Sequence, residues 1–187
     1  MGKLIYAMIT SLDGYTEAMD GGGLGSSSDD PEVHSFIGEA FRHVGTYLYG
    51  RRMYETMVFW ETVHQQPDVP AHILEYGEIW RSANKIVYST TLKEVSSEKT
   101  RIEPTFAPED VRKLKAETDH DISIDGPTIA AQAIKAGLVD EIGLFMTTSV
   151  VGGGTRFFPD GFRLDLDLLH HKVFSSGLIY AYYRVAR

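Results

Sequence analysis

Four short stretches of this 187-residue sequence carry residue types that hold phosphate or handle protons. In Gly50-Arg51-Arg52, the glycine would let a ligand approach the backbone. The free N–H groups of a following helix turn would attract an anion, and arginine adds bidentate phosphate recognition. Two cations in a first helical turn also oppose the helix dipole, an arrangement that a bound anion would relieve. Ser89-Thr90 offers two hydroxyls, which can donate to phosphate or equally cap a turn. Asp125-Gly126-Pro127-Thr128 places a glycine ahead of an alanine-rich run, a geometry suited to pyrophosphate. Ser11-Leu12-Asp13-Gly14 sets a carboxylate where it could orient a substrate or relay a proton, although Asp-Gly is also a common surface turn. Three phosphate-suited stretches in one short chain suggest a dinucleotide.

Each stretch falls where a strand should end. Lys3 to Thr10 is apolar and reads as a buried strand. Asp30-Pro31-Glu32 is a helix start, with an acid at the cap and proline at the first helical position. That helix is expected to run to Val44 and stop at Gly45. Thr46 to Tyr49 reads as a strand, followed at Arg51 by a helix, and Pro70 to Ser82 as a further helix. Lys85 to Tyr88 is the next strand, Pro108 to Glu117 a polar surface helix, Asp121 to Ile124 a strand and Pro127 to Ala136 a helix closed by Gly137. Ile142 to Val151 reads as a long strand broken by three glycines. Leu164 to Ser175 and Leu178 to Val185 form a closing hairpin around Ser176-Gly177. This alternation predicts an α/β fold with a mostly parallel sheet covered on both faces by helices, and a C-terminal antiparallel hairpin. Ligands of such sheets bind beyond the C-terminal strand ends. The Gly/Ser-rich segment Asp20 to Asp30 is either a surface connection or a lid.

Length and the absence of a linker or repeat point to one domain over residues 1–187. The net charge of −8 argues against a nucleic-acid partner, which would need a concentrated basic face. No apolar run approaches the ~20 residues that span a bilayer, and the start of the chain lacks the pattern of a signal peptide, so a cytoplasmic protein without a membrane partner is expected. With no cysteine there is no disulfide or thiolate site. None of the seven histidines forms a metal-type pair with a nearby acid, so no metal is expected. There is no G-x-G-x-x-G, no Walker lysine and no G-x-S-x-G elbow.

With these segments in order, the chain resembles the dihydrofolate reductase superfold. It looks most like the reductase domain of the riboflavin-biosynthesis deaminase-reductase. Three stretches carry the likeness: SLDG at Ser11 to Gly14, GRRMYE at Gly50 to Glu55, and GPTIAAQAIKAGLVDEIGLFMTTSVVGGGTRFFP from Gly126 to Pro159. The resemblance implies a three-layer α/β/α domain that binds NADPH. Gly50, Arg51, Arg52, Ser89 and Thr90 would lie near its 2′-phosphate and pyrophosphate. Gly126, Pro127, Thr128 and Ile129 would hold the pyrophosphate, and Ala7 with the SLDG loop would flank the nicotinamide. Gly153, Gly154 and Thr155 would complete that end of the cleft, and Asp13 is the catalytic candidate.

Departures from the family pattern narrow the chemistry. Folate-reducing members carry an acid early in the first helix, where this chain has Val33, which disfavours folate. The family's glycine pair before the third helix is Asp125-Gly126 here, and Met53 replaces a threonine. Many relatives carry arginine where Thr90 stands, which leaves NADPH or NADH open. The H-x-E and P-C-x-x-C zinc signature of the deaminase is absent. The expected activity is hydride transfer to a carbonyl or imine carbon of a small metabolite, such as a ribosylaminopyrimidine phosphate. The alternatives are dihydrofolate reduction and a nucleotide-binding dimer without catalysis. The apolar, tyrosine-rich hairpin makes a homodimer the expected assembly.

Overall fold

The computed structural model describes residues 1–186. Its strands are β1 (Leu4–Thr10), β2 (Tyr15–Ala18), β3 (Val44–Gly50), β4 (Asn84–Tyr88), β5 (Thr100–Glu103), β6 (Asp121–Asp125), β7 (Glu141–Met146), β8 (Gly154–Arg156), β9 (Leu166–Val173) and β10 (Ile179–Val185). The helices are α1 (Pro31–Ala40), α2 (Arg51–Met57), α3 (Phe59–Thr62), α4 (Ala71–Ser82), α5 (Pro108–Glu117) and α6 (Pro127–Lys135). Eight strands form one sheet in the order β5-β4-β3-β6-β1-β7-β10-β9. The first six of these run parallel, while β10 pairs antiparallel with both β7 and β9.

Side-chain alternation along the parallel strands builds two cores. On one face Leu4, Tyr6, Leu48, Ile122 and Ile124 meet Val111 of α5 and Ala130, Ala133 and Ile134 of α6. On the other, Ile5, Tyr47, Tyr49 and Val87 meet Val33 of α1 and Trp80 of α4. The result is the three-layer α/β/α arrangement that the sequence predicts, with the antiparallel hairpin at one edge.

Several expected boundaries move, for identifiable reasons. Helix α1 begins as read, with the Asp30 carboxylate accepting the Glu32 N–H at 2.8 Å and Pro31 in the first turn. It ends at Ala40, however, not Val44, and Val44 and Gly45 already belong to β3. Gly45 is not a helix stop. A Cβ there would lie 2.4 Å from the His120 ring, so the glycine admits a close approach between β3 and the turn before β6. The strand expected over Ile142 to Val151 ends at Met146. Beyond it the chain is drawn across to the SLDG turn, where Leu12 N donates to the Ser149 carbonyl at 2.7 Å. The small β2–β8 sheet and the edge strand β5 are additions that the sequence pattern does not reveal.

Lys85 is almost wholly buried on β4, with Nζ 3.1 Å from the Trp80 carbonyl and 4.2 Å from the centre of its ring. Burial pushes its ammonium down to about 8 from 10.5. The folded chain therefore binds fewer protons at this site than the unfolded chain between those values. The cost of burying the charge is fully present below pH 8 and fades as the pH rises. The urea midpoint of the wild type should increase between pH 7.5 and pH 9.5 relative to that of Lys85→Met. Parallel profiles for the two proteins would refute this account of Lys85.

Candidate active site

The C-terminal ends of β1, β3, β4 and β6 open into one cavity of about 960 Å³, at the upper end of the ~300–1,000 Å³ range of small-molecule sites. Its two ends differ. Toward β3, β4 and α6 the walls are Gly50, Arg51, Arg52, Ser89, Thr90, Gly126, Pro127, Thr128 and Ile129. On the face between α1 and α4 they include Ile37, Phe41, Tyr47, Trp60, Tyr76 and Phe145. Leu24 reaches the cavity from the Gly/Ser-rich segment.

Local sequence explains the phosphate-suited end. Helices α2 and α6 both start without a side-chain cap, so their first N–H groups stay available. Gly126 has φ +105, a conformation that other residues rarely adopt, so the β6–α6 junction in this form depends on glycine. Both arginines have protein partners in this state. Arg51 binds Glu55 at 2.7 Å and the Thr91 hydroxyl at 2.9 Å. Arg52 reaches Glu17 of β2 at 2.6 Å. These side chains are substantially exposed, and such pairs are worth only ~0–1 kcal/mol, so a phosphate would compete for them at little cost. Ser89 Oγ accepts the N–H groups of Thr91 and Leu92, which makes it a turn cap that also borders the cavity.

Ala7 and Thr155 line the cavity as well. Thr155 donates its hydroxyl to Glu17 at 3.1 Å, which links β8 through Glu17 to Arg52. Gly153 and Gly154 do not line it. A Cβ on Gly153 would be 2.7 Å from Met19 Sδ, and one on Gly154, at φ +133, would fall 1.9 Å from the Glu17 carbonyl. These glycines allow β8 to pair with β2.

Asp13 also lies outside the cavity lining. Its carboxylate accepts the N–H groups of Val151 at 3.1 Å and Gly152 at 2.8 Å, binding the SLDG turn to the glycine-rich loop. The Ser11 hydroxyl, followed by these backbone donors, holds the carboxyl below its ordinary range.

Asp125, read from sequence as part of a turn and as a departure from the family's glycine pair, contributes a second carboxyl group. Burial raises its pKa to about 7, against a smaller opposing effect of the Ser123 hydroxyl, which donates at 2.9 Å. The alternation in β6 is the signal for its placement. Ile122 and Ile124 enter the α5/α6 core, so Ser123 and Asp125 face the α1/α4 side, where the cavity lies. The aromatic wall formed by Phe41, Trp60 and Tyr76 gave no sequence signal beyond ordinary core composition. Val33, at the position of the folate-type acid, is fully buried.

Known proteins share this architecture. A pyrimidine reductase-like protein from Corynebacterium diphtheriae superposes with a TM-score of 0.71 at 17% identity, over 100% of this chain and 92% of that one. Dihydrofolate reductase from Enterococcus faecalis, complexed with NADP(H) and RAB-propyl, gives a TM-score of 0.64 at 16% identity, over 100% and 98%. The fold is thus dihydrofolate-reductase-like. In sequence, the uncharacterized protein YyaP of Bacillus subtilis (strain 168) is 27% identical over 97% of this chain and 94% of its own length. Residues 2–180 match the model of the RibD C-terminal domain, and the chain belongs to that family.

Proposed function

We propose that the protein is an NADPH-dependent reductase, acting as a single domain, that delivers hydride to the carbonyl or imine carbon of a small metabolite. One observation carries this reading: three separate strand-to-helix and strand-to-loop junctions border the same cavity, each with phosphate-suited groups. The residues present fit a doubly phosphorylated dinucleotide. Uncapped N–H groups at the start of α6, with the open backbone at Gly126, suit the pyrophosphate, and Arg51 and Arg52 suit a further phosphate. The bound cofactor would supply the hydride, and the protein would position the reactants and exclude water.

In this reading Ala7 and Thr155 border the nicotinamide, and Gly153, Gly154 and Asp13 shape that end indirectly through the β2–β8 sheet and the SLDG turn. A ribosylaminopyrimidine phosphate remains the substrate candidate implied by the family. Its own phosphate would meet His34 and His72, which line the cavity together with the two arginines. Folate is disfavoured by the apolar Val33. Assembly as a homodimer is proposed through the edge strand β9, which exposes Leu168, Leu169 and Val173. Among the described residues, no helix is long and apolar enough to cross a membrane.

The test is NADPH oxidation by the purified protein against a panel of carbonyl and imine compounds that includes a ribosylaminopyrimidine phosphate. Substrate-dependent oxidation is the expected result. Tight NADPH binding without turnover across the panel would replace this reading with that of a non-catalytic nucleotide-binding protein.

A further inference from the structure

The carboxyl group of Asp125 has no structural task that accounts for its position. An acid at a junction between a strand and a helix ordinarily caps the helix, since carboxylates accept the free N–H groups of the first turn. Here α6 receives no side-chain cap, and its N-cap residue is Gly126. Among the described residues, the one hydrogen-bond partner of the Asp125 carboxyl is Ser123, which donates to Oδ1. The carboxyl is nearly enclosed, with only 8% of the residue exposed, yet it borders the cavity on the face that carries Phe41, Tyr76 and Phe145.

The groups around it are neutral. The phenols of Tyr6 of β1, Tyr47 and Tyr49 of β3 and Tyr76 of α4 are raised chiefly by burial, with a smaller contribution from the charge of Asp125. Ser123 shares its strand. Among the described residues, no arginine, lysine or histidine forms an ion pair with it. The other acid lining the cavity, Glu17, is committed to Arg52 and Thr155.

Resting on the reductase reading, we infer that Asp125 is the catalytic acid of this site: its carboxyl group hydrogen-bonds through Oδ2 to the heteroatom of the substrate's C=O or C=N bond and donates the proton that accompanies the hydride. In the balanced step the carbon accepts hydride from reduced nicotinamide. The π pair collects on oxygen or nitrogen, and the Asp125 proton moves to that atom. The carboxylate left behind regains a proton from water. Ser123 is the positioning residue, fixing Oδ1 so that Oδ2 faces the reactants. Burial raises the Asp125 carboxyl to about 7, so a substantial fraction of it carries this proton at neutral pH, where an ordinary carboxyl carries almost none.

The test begins without turnover. Carbon-13 NMR of aspartate-labelled full-length protein should show one carboxyl titrating near pH 7, absent in Asp125→Asn. With NADPH and a substrate found by the panel, Asp125→Asn should lower kcat by about 10²–10⁴-fold, the usual range for a lost general acid. Its NADPH dissociation constant should stay within a few-fold of wild type. Wild-type kcat should fall as pH rises through 7, and the variant should lose that dependence. The inference is overturned if Asp125 titrates in the ordinary carboxylate range, or if the variant keeps kcat within three-fold. It is equally overturned if the variant keeps the wild-type pH profile, which would point to His34 or His72. Failure of the wild type to bind either nicotinamide nucleotide would end the reductase reading itself. Binding together with a low Asp125 titration would end only the role given to Asp125.

Discussion

Asp140→Ala should lower the free energy of unfolding by about 3–5 kcal/mol, the cost of stranding a buried charge. Asp140 sits in the link between α6 and β7, with its carboxylate 2.5 Å from Lys115 Nζ of α5 and 2.8 Å from the Leu4 N–H of β1. Lys115 also donates to the Leu138 carbonyl at 2.7 Å. The side chains are only 8% (Lys115) and 15% (Asp140) exposed, so water cannot replace a lost partner well. The pair joins a helix, a central strand and the chain entering β7. Urea denaturation measures the loss. Lys115→Met in the Asp140→Ala background should recover part of it, because the stranded cation is then gone. A change below about 1 kcal/mol on Asp140→Ala would show that the pair is solvated and contributes as little as a surface ion pair.

The second large effect concerns the cofactor. Replacing Arg51 and Arg52 together with alanine should weaken NADPH binding about 100-fold. Each charged hydrogen bond contributes roughly 1.5–3 kcal/mol, and each arginine must first leave an exposed partner worth ~0–1 kcal/mol. The net loss is therefore about 3 kcal/mol. NADH should lose about ten-fold, since it lacks the 2′-phosphate that one of the arginines is proposed to meet. Calorimetric titration of both nucleotides into wild type and variant measures the difference. Equal losses for NADPH and NADH would remove the 2′-phosphate from the assignment, and unchanged affinities would remove the arginines from the site.

The fold was readable where local signals agree with the tertiary structure. Pro31, Pro108 and Pro127 each open a helix as their sequence contexts predict. The apolar stretches of β1, β3, β4 and β6 became the parallel centre of the sheet. Readings failed where one residue type serves two purposes. Gly45 resembled a helix stop because glycine commonly ends helices, but it is there to clear His120. Val150 and Val151 looked like the continuation of a strand, yet Asp13 draws the backbone of Val151 and Gly152 aside. That hydrogen bond spans 138 residues of chain, and nothing local encodes it.

The candidate site divides in the same way. Its phosphate-suited end was legible, because Gly50, Arg51, Arg52 and Gly126 have local reasons to be what they are. The opposite end was not. Phe41, Trp60 and Tyr76 are indistinguishable in sequence from core residues, and only the space between α1 and α4 makes them a wall. Asp125 was visible as a departure from the family's glycine pair. Its direction into the cavity follows from the alternation of β6 once the two sheet faces are known. Asp13 was read as a carboxylate at a strand end suited to orienting a substrate or relaying a proton; in the structure it holds the loop at Val151 and Gly152.

The central claim is that the junctions after β3, β4 and β6 together hold a nicotinamide dinucleotide. Amide chemical-shift mapping of the full chain on addition of NADPH tests it most directly. The account predicts saturable shifts concentrated at Gly50 to Arg52, Ser89 to Thr90 and Gly126 to Ile129, with all three groups following one binding curve. Shifts confined to one junction, gathered on the β9–β10 hairpin, or absent at millimolar NADPH would contradict it.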